Sequence, residues 1–367
     1  MTARHDEPIM AGERLAELLD TFPRLAIAVV GDFFLDKYLV IDPALEEISV
    51  ETGLPALQVV AKRCSPGAAG TVTSNLRALG VGTVYAVGCL GDDGEGYDLR
   101  HGLQHTGVDD RRLLIRDDLF TPTYTKPMVL QPDGSEVESN RQDIKNRGET
   151  SAAVIDALIE QLRACVGEVQ GVIVADQVGA PEEGMITSAV REEFASLAEA
   201  HPDVVFSADS RANIGRFRNL ILKPNRLEAC RAVNPTATEP VALDYATECG
   251  QALSRRSGKP VYVTLGPDGL LLATPERATH IPGVKVEGPV DTVGAGDSTT
   301  AGIVSSLCAG ASLEEAGLVG NLVASITIQQ LGTTGTASPE QVLHRFSERP
   351  KRGSVPPFVK EAPSLSS

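Results

Sequence analysis

Leu25-Ala-Ile-Ala-Val-Val-Gly31 is a continuous apolar run of strand length. A strand with one face in water alternates apolar and polar residues, whereas a parallel strand covered on both faces reads apolar throughout. The run therefore predicts a central parallel strand, and the rest of the chain repeats its pattern. Val84–Val87, Val172–Ala175, Val204–Ser207, Leu220–Leu222 and Val261–Leu265 are all short and largely apolar. Between them lie stretches with helical spacing, Thr71–Leu79, Ala152–Cys165, Gly184–Ala200 and Leu243–Arg256, and an amphipathic helix carrying Leu15, Leu18 and Leu19 precedes the first strand. Strand and helix alternate, which predicts an α/β fold: a doubly wound, mostly parallel sheet with helices on both faces.

Two regions break that rhythm. Residues 38–62 contain Tyr38-Leu-Val-Ile41 and Ala56-Leu-Gln-Val-Val-Ala61, and residues 122–142 contain Tyr124–Leu130, the turn Pro132-Asp-Gly134 and Glu136–Asn140. Alternating apolarity and turn residues predict antiparallel strands there. They have no intervening helices, so we place them together as a small antiparallel β lid projecting from one edge of the main sheet. Such a sheet either covers a site or serves as a decorative extension or dimer contact. The chain then divides into an N-terminal helix at 1–24, a main domain at 25–348 that includes the lid strands, and a tail at 349–367.

Composition narrows the function. There are 33 basic and 49 acidic residues, a formal charge of −16, with no Lys/Arg cluster, so a nucleic-acid or anionic-membrane surface is not expected. The longest apolar stretches are strand-sized and the first dozen residues lack a secretory apolar core, so the protein is expected in the cytoplasm. Cys64, Cys89, Cys165, Cys230, Cys249 and Cys308 lie far apart without a CxxC pair and read as reduced thiols. An anionic ligand meets a repulsive overall field, so its site must supply local positive potential.

Gly288-Pro-Val-Asp-Thr-Val-Gly294-Ala-Gly296-Asp297 provides one source. This glycine-rich turn feeds a segment whose Ile303, Val304, Leu307 and Cys308 form a helical stripe. Free N–H groups at Gly294, Ala295, Gly296 and Asp297, together with the helix dipole, would hold a phosphate without cations. No GxxxxGK[ST] loop occurs elsewhere in the sequence. Asp297 has two readings: a first-turn carboxylate that stabilises the helix dipole, or a base that accepts a proton beside the bound phosphate. Upstream, Lys223-Pro-Asn225-Arg-Leu-Glu228 follows an apolar strand, and Asn225 with Glu228 has the spacing of a capping box. The strand Val261-Tyr-Val-Thr264-Leu-Gly266 ends near Gly269, placing a hydroxyl and two glycines where open α/β sheets bind ligands.

In this order, Gly31-Asp32 with Asp36, Gly91-Asp92-Asp93 with Gly96, Lys223-Pro224-Asn225 with Glu228, Val263-Thr264-Leu265-Gly266 with Gly269, and Asp291 to Asp297 resemble the ribokinase-like PfkB carbohydrate kinases. The resemblance runs from about residue 25 to 348 and implies a ribokinase-like fold, ATP and Mg²⁺ as cofactors, and a small-molecule sugar substrate. It implies that Asp297 is the base that deprotonates the attacking hydroxyl and that Gly294, Ala295 and Gly296 form the anion hole. Lys223, Asn225, Glu228, Thr264, Gly266, Gly269 and Asn321 would serve ATP, with Asn225 and Glu228 ordering Mg²⁺ through water. Asp32, Asp36, Gly67, Ala68, Thr71 and Lys126, with Asp297, would hold the sugar. The backbone around Asp291 and Val293 corresponds to a monovalent-cation loop, which implies K⁺ activation.

Within the family, Leu35-Asp36-Lys37-Tyr38, Pro122-Thr-Tyr-Thr-Lys126 and Gln330–Glu340 resemble the heptose 7-phosphate kinases. The sequence departs from them in two sugar-binding runs. Their P-G-G-A-A-N is Pro66-Gly-Ala68-Ala-Gly-Thr71 here, and their S-D-Y-x-K-G is Ala175-Asp-Gln177-Val-Gly-Ala180. No nucleotidyltransferase segment is expected, because the chain ends soon after residue 348. The alternatives carried forward are a catalytically inactive sugar or nucleotide sensor and a kinase of a nucleoside-like substrate, with a homodimer through the lid strands.

Overall fold

The run at 25–31 is strand β1 (Ala26–Gly31), at the interior of the main sheet of this computed structural model, which describes residues 9–332 and 334–349. The first eight residues, Thr333, and the expected tail beyond Arg349 lie outside the described residues. After helix α1 (Gly12–Leu19) and β1 come β2 (Phe33–Ile41), β3 (Glu47–Ile48), β4 (Pro55–Ala56), β5 (Val59–Ala68), α2 (Ala69–Ala78), β6 (Thr83–Gly91), α3 (Gly94–His105) and β7 (Asp109–Arg116). Next follow β8 (Thr123–Leu130), β9 (Glu136–Glu138), β10 (Gln142–Ile144), α4 (Ala152–Val166), β11 (Gly171–Asp176), α5 (Ser188–Ala200) and β12 (Val205–Ser210). The chain continues through β13 (Ile221–Leu222), α6 (Arg226–Val233), α7 (Leu243–Ser257), β14 (Val261–Thr264), β15 (Gly269–Ala273) and β16 (Ala278–Pro282). It closes with α8 (Ala295–Cys308), α9 (Leu313–Thr327) and α10 (Pro339–Ser347).

Among the described residues, nine strands form the main sheet in the order β16-β15-β14-β13-β12-β11-β1-β6-β7. All neighbours from β14 to β7 are parallel, and β15 and β16 extend the sheet as antiparallel strands. The apolar run reads as it does because Ile27 and Val29 enter a core with α2, α8 and α9, while Ala28 and Val30 enter a second core with α4 and α5. β7 and β16 are not continuous apolar runs, and β15, although it reads Gly-Leu-Leu-Leu-Ala, was not among the strands expected. β7 is a sheet edge and reads Asp-Asp-Arg-Arg-Leu-Leu-Ile-Arg, which needs apolar cover on fewer positions. α5 starts at Ser188, later than the periodicity predicts, because Gly184 has φ +74° and Thr187 caps the helix.

Strand order reverses at β1: β6 and β7 lie on one side, and the chain then crosses to β11 on the other. The carboxyl ends of β1 and β11 thus flank the switch point where such sheets bind ligands. The smaller sheet leaves the same edge, in the order β10-β8-β2-β5 with β9 on β8. It departs from a purely antiparallel arrangement in one pair, β2 with β8, which is parallel. Both strands leave the carboxyl edge of the main sheet in the same direction, after β1 and β7, whereas β5 returns toward it and is antiparallel to β2. Among the described residues no helix is long and apolar enough to cross a membrane. The cysteines are free, with Cys89, Cys165, Cys230 and Cys249 buried.

Candidate active site

Gly294 caps α8 with φ +79°, a conformation that glycine adopts at little cost. The Gly294, Gly296 and Asp297 N–H groups have no acceptor among the described residues, whereas the Ala295 N–H donates to the Thr292 carbonyl at 3.2 Å. The predicted anion cradle therefore loses the Ala295 donor to its own turn. Asp297, at the third helical position, is half-buried. Burial pushes its carboxyl up to about 7; Asp209 and Asp36 add to the rise, while Lys223 and Arg211 oppose it. A carboxylate with that proton affinity is suited to accept a proton near neutral pH.

The next strands bring further charge to this corner. Asp209 ends the β12 side and Lys223 follows β13, so the register that sets Ala208 beside Leu222 makes them neighbours. Lys223 Nζ lies 2.9 Å from Asp209 Oδ2, and the lysine side chain is only 4% exposed. Burial alone would lower the Lys223 proton affinity, but the carboxylates of Asp209, Glu228 and Asp297 together outweigh it and raise the ammonium above its ordinary range. Asn225 and Glu228 form the capping box that their spacing predicts: the Glu228 N–H donates to Asn225 Oδ1 at 2.8 Å and the Asn225 N–H to Glu228 Oε2 at 2.7 Å. Burial, and then Asp209, raise the Glu228 carboxyl. Magnesium in phosphoryl-transfer sites is held by one or two carboxylates together with phosphates and water. Glu228 is such a carboxylate, and the described residues contain no group of three or more His, Cys, Asp or Glu that could enclose an ion. The residues present fit that mode of holding magnesium.

Beside the end of β14, Thr264, Gly266, Gly269, Gly296 and Asn321, the residues expected to serve ATP together with one of the anion-hole glycines, line a cleft of about 540 Å³ that Val284, Val286 and Ile328 close with aliphatic surface. Gly269 is needed for strand approach, since a Cβ there would lie 2.3 Å from the Gly283 nitrogen. Asn321 also ties α9 to β16, donating to the Ile281 and Pro282 carbonyls at 3.1 and 3.0 Å. Asp291 accepts from the N–H of Val293 at 3.0 Å and of Gly332 at 3.2 Å, so its carboxylate closes the loop before α8.

On the lid side, alternation along β2 puts Phe34, Asp36 and Tyr38 on one face. Register adds Tyr124 and Lys126 from β8 and Gly67 from β5. Lys126 Nζ pairs with Asp36 Oδ1 at 2.9 Å and reaches Tyr38 Oη at 3.1 Å. A Cβ on Gly67 would lie 2.3 Å from Asp36 Oδ2, so only glycine lets this carboxylate sit where it does. Thr71 of α2 lies against the turn before α8, its methyl carbon 3.4 Å from where a Cβ on Gly294 would stand. Ala68 occupies φ +53°, ψ −118°, a conformation that strains any residue with a Cβ.

Asp32, expected to hold the sugar, lines the lid-side cavity and also anchors part of its wall. Its carboxylate is buried and accepts the N–H groups of Gln177, Val178 and Met185 at 2.9, 3.2 and 2.8 Å, anchoring the loop beyond β11. That loop helps enclose the cavity, of about 460 Å³, with Phe34 and Tyr124 in its wall and Lys145, Arg147 and Arg211 around it. Asp209, Arg211, Lys145 and Arg147 were missed in the sequence. Asp209 carried a usable signal, a carboxylate ending a buried strand at the ligand-binding edge. The other three sit in segments without periodicity.

The sequence matches the pfkB family carbohydrate kinases over residues 50–341. It is 30% identical over 304 residues to the bifunctional protein HldE of Shewanella amazonensis, covering 81% of this chain and 59% of that relative. With HldE of a Caulobacter strain it shares 29% identity over 305 residues, covering 82% of this chain and 58% of the relative. The chain thus spans about 59% of the length of these curated relatives. Among solved structures, the Arabidopsis thaliana ribokinase complexed with ribose and ATP superposes with a TM-score of 0.64 at 19% identity, covering 89% of this chain and 99% of that one. Phosphofructokinase-2 from Escherichia coli in complex with potassium gives 0.64 at 20% identity, covering 88% and 98%. These likenesses establish a ribokinase-like fold. Since the family match spans residues 50–341, most of the chain and including the turn that bears Asp297, the chain belongs to the pfkB family of carbohydrate kinases.

Proposed function

We propose that the protein transfers the γ-phosphoryl group of ATP to a hydroxyl of a sugar phosphate, with heptose 7-phosphate the first candidate, and that Asp297 is the base. One observation carries this reading. Asp297 follows Gly296, which lines the cleft beside Thr264, while Arg211, which lines the lid-side cavity, and Asp36 of β2 both act on its charge. The acceptor hydroxyl gives its proton to the Asp297 carboxylate as its oxygen forms the new bond to phosphorus. The bond from phosphorus to the β,γ-bridging oxygen breaks, and ADP leaves with the electron pair. The free N–H groups at the start of α8 stabilise charge on the transferring group. Mg²⁺, held through Asn225 and Glu228, would neutralise phosphate charge. K⁺ at the Asp291 and Val293 loop would fix the turn that presents those N–H groups.

Two cations support a phosphorylated acceptor: Arg147 and Arg211 line the lid-side cavity and form no ion pair among the described residues, although Asp32, Asp118, Glu149 and Glu183 share that wall. The edge-to-face pair of Phe34 and Tyr124, 5.2 Å between centroids, favours a second reading in which the acceptor carries a ring, as a nucleoside does. A panel of heptose 7-phosphate, fructose 6-phosphate, fructose, ribose and adenosine, assayed for ADP release with MgATP, separates these and the non-catalytic sensor. Asp297→Asn should lose about 10²- to 10⁴-fold in turnover while still binding ATP. Near-normal turnover in that variant would refute the base.

The lid also supports a homodimer. β5 is an edge strand whose Val59 and Val60 are exposed, next to exposed Leu54 and Leu57. Light scattering should show a dimer that Val60→Lys weakens, and a monomeric wild type would refute it. The soluble cytoplasm is the proposed location.

A further inference from the structure

We infer that the buried Asp209–Lys223 pair positions charge for phosphoryl transfer: Lys223, held against the first turn of α8, favours the ionised form of Asp297 that takes the acceptor's proton, and Asp209 tempers that attraction so that the carboxylate stays basic. The inference rests on the reading of Asp297 as the base.

The geometry makes the pair part of the α8 turn rather than a chance surface contact. Lysines usually lie with their heads in water, yet the Lys223 side chain is 4% exposed and Asp209 is 13% exposed. The Nζ to Oδ2 distance is 2.9 Å. A Cβ on Gly296 would stand 3.4 Å from Lys223 Nζ and 3.9 Å from Asp209 Oδ2, so both charged tips abut the backbone one residue before Asp297. One turn on, Thr300 Oγ1 donates to the same Asp209 oxygen at 3.5 Å. The Lys223 backbone is fixed as well, its N–H donating to the Ala208 carbonyl at 3.0 Å. A buried ion pair adds little net stability over a well-packed apolar pair, so its place in the fold carries more information than its strength.

The groups that face Asp297 are Asp209 from the end of β12, Lys223 from the turn after β13, Arg211 from the loop after β12, and Asp36 from β2. The two carboxylates hold a proton on Asp297; the two cations release it. Without Lys223 the carboxylates dominate and Asp297 keeps its proton at higher pH. Without Asp209 one repelling charge is gone and the ammonium is left to Asp297, which then ionises at lower pH and becomes a weaker base.

The two variants therefore move one pH profile in opposite directions. In kcat/KM measured against pH with MgATP and the best acceptor of the panel, the acid limb should move about one pH unit down in Asp209→Asn and about one unit up in Lys223→Met. kcat should fall in both, and Lys223→Arg should return the limb toward wild type. Should Lys223→Met fail to fold, the downward shift in Asp209→Asn and a limb close to wild type in Lys223→Arg decide the matter. A limb that stays in place while activity falls uniformly, with Asp297→Asn inactive, would overturn the role of the pair and leave the base intact. Near-normal turnover in Asp297→Asn would overturn the base and the pair together.

Discussion

Ala68 offers the sharpest test of how this chain differs from its relatives. It stands where the heptose kinase pattern has glycine, and it holds φ +53°, ψ −118° at the junction of β5 and α2. A residue with a Cβ in such a sparsely populated region costs about 1–3 kcal/mol. Ala68→Gly removes that strain, taken as about 2 kcal/mol. Against it stand the larger freedom of an unfolded glycine, about 0.7 kcal/mol, and the loss of a half-buried methyl, about 0.4 kcal/mol. The variant should therefore be more stable by about 1 kcal/mol, against the usual direction for an alanine-to-glycine change. At about 2.1 cal/mol/K per residue over roughly 340 residues, that is a melting shift of only about 1.4 °C, so urea unfolding is the better assay. The midpoint should rise with the slope unchanged. Ala68→Val, with a β-branched side chain in the same conformation, should lower the midpoint. A glycine variant less stable than wild type would show that Ala68 is held by packing rather than strained.

Three further outcomes follow from the site. With Asp297 raised to about 7, wild-type kcat/KM should fall about tenfold from pH 8 to pH 6, because the ionised form of the base is lost as pH drops through that value; a flat profile across this range would refute it as the titrating base. Lys126→Met removes the partner 2.9 Å from Asp36 and should raise the acceptor KM by about ten- to a hundredfold with a smaller change in kcat; an unchanged KM would place the pair outside the acceptor site. Glu228→Gln keeps a side chain that can still close the capping box, so stability should hold, while the Mg²⁺ concentration for half-maximal rate should rise several-fold. If stability falls and the Mg²⁺ dependence does not change, Glu228 is a cap and nothing more.

The sequence alone determined the parallel sheet, because a strand buried on both faces must be apolar at every position, and Leu25–Gly31 already shows it. It also placed the glycine-rich turn at the start of a helix, since the glycines and helix onset at 294–297 are contiguous and their geometry is local. The Asn225–Glu228 capping box was legible for the same reason. What only the tertiary structure decided involves partners far apart in the chain. That Asp209 meets Lys223, that Asp32 spends its carboxylate on the loop after β11, and that β8 runs parallel to β2 all depend on strand order and on which edge a segment leaves. Spacing in sequence carries no record of those choices. Asp297 stands on both sides of this division: its place at the helix start is written in the motif, but its proton affinity is set by Asp209, Lys223, Arg211 and Asp36, which the folded chain brings to it from three other segments.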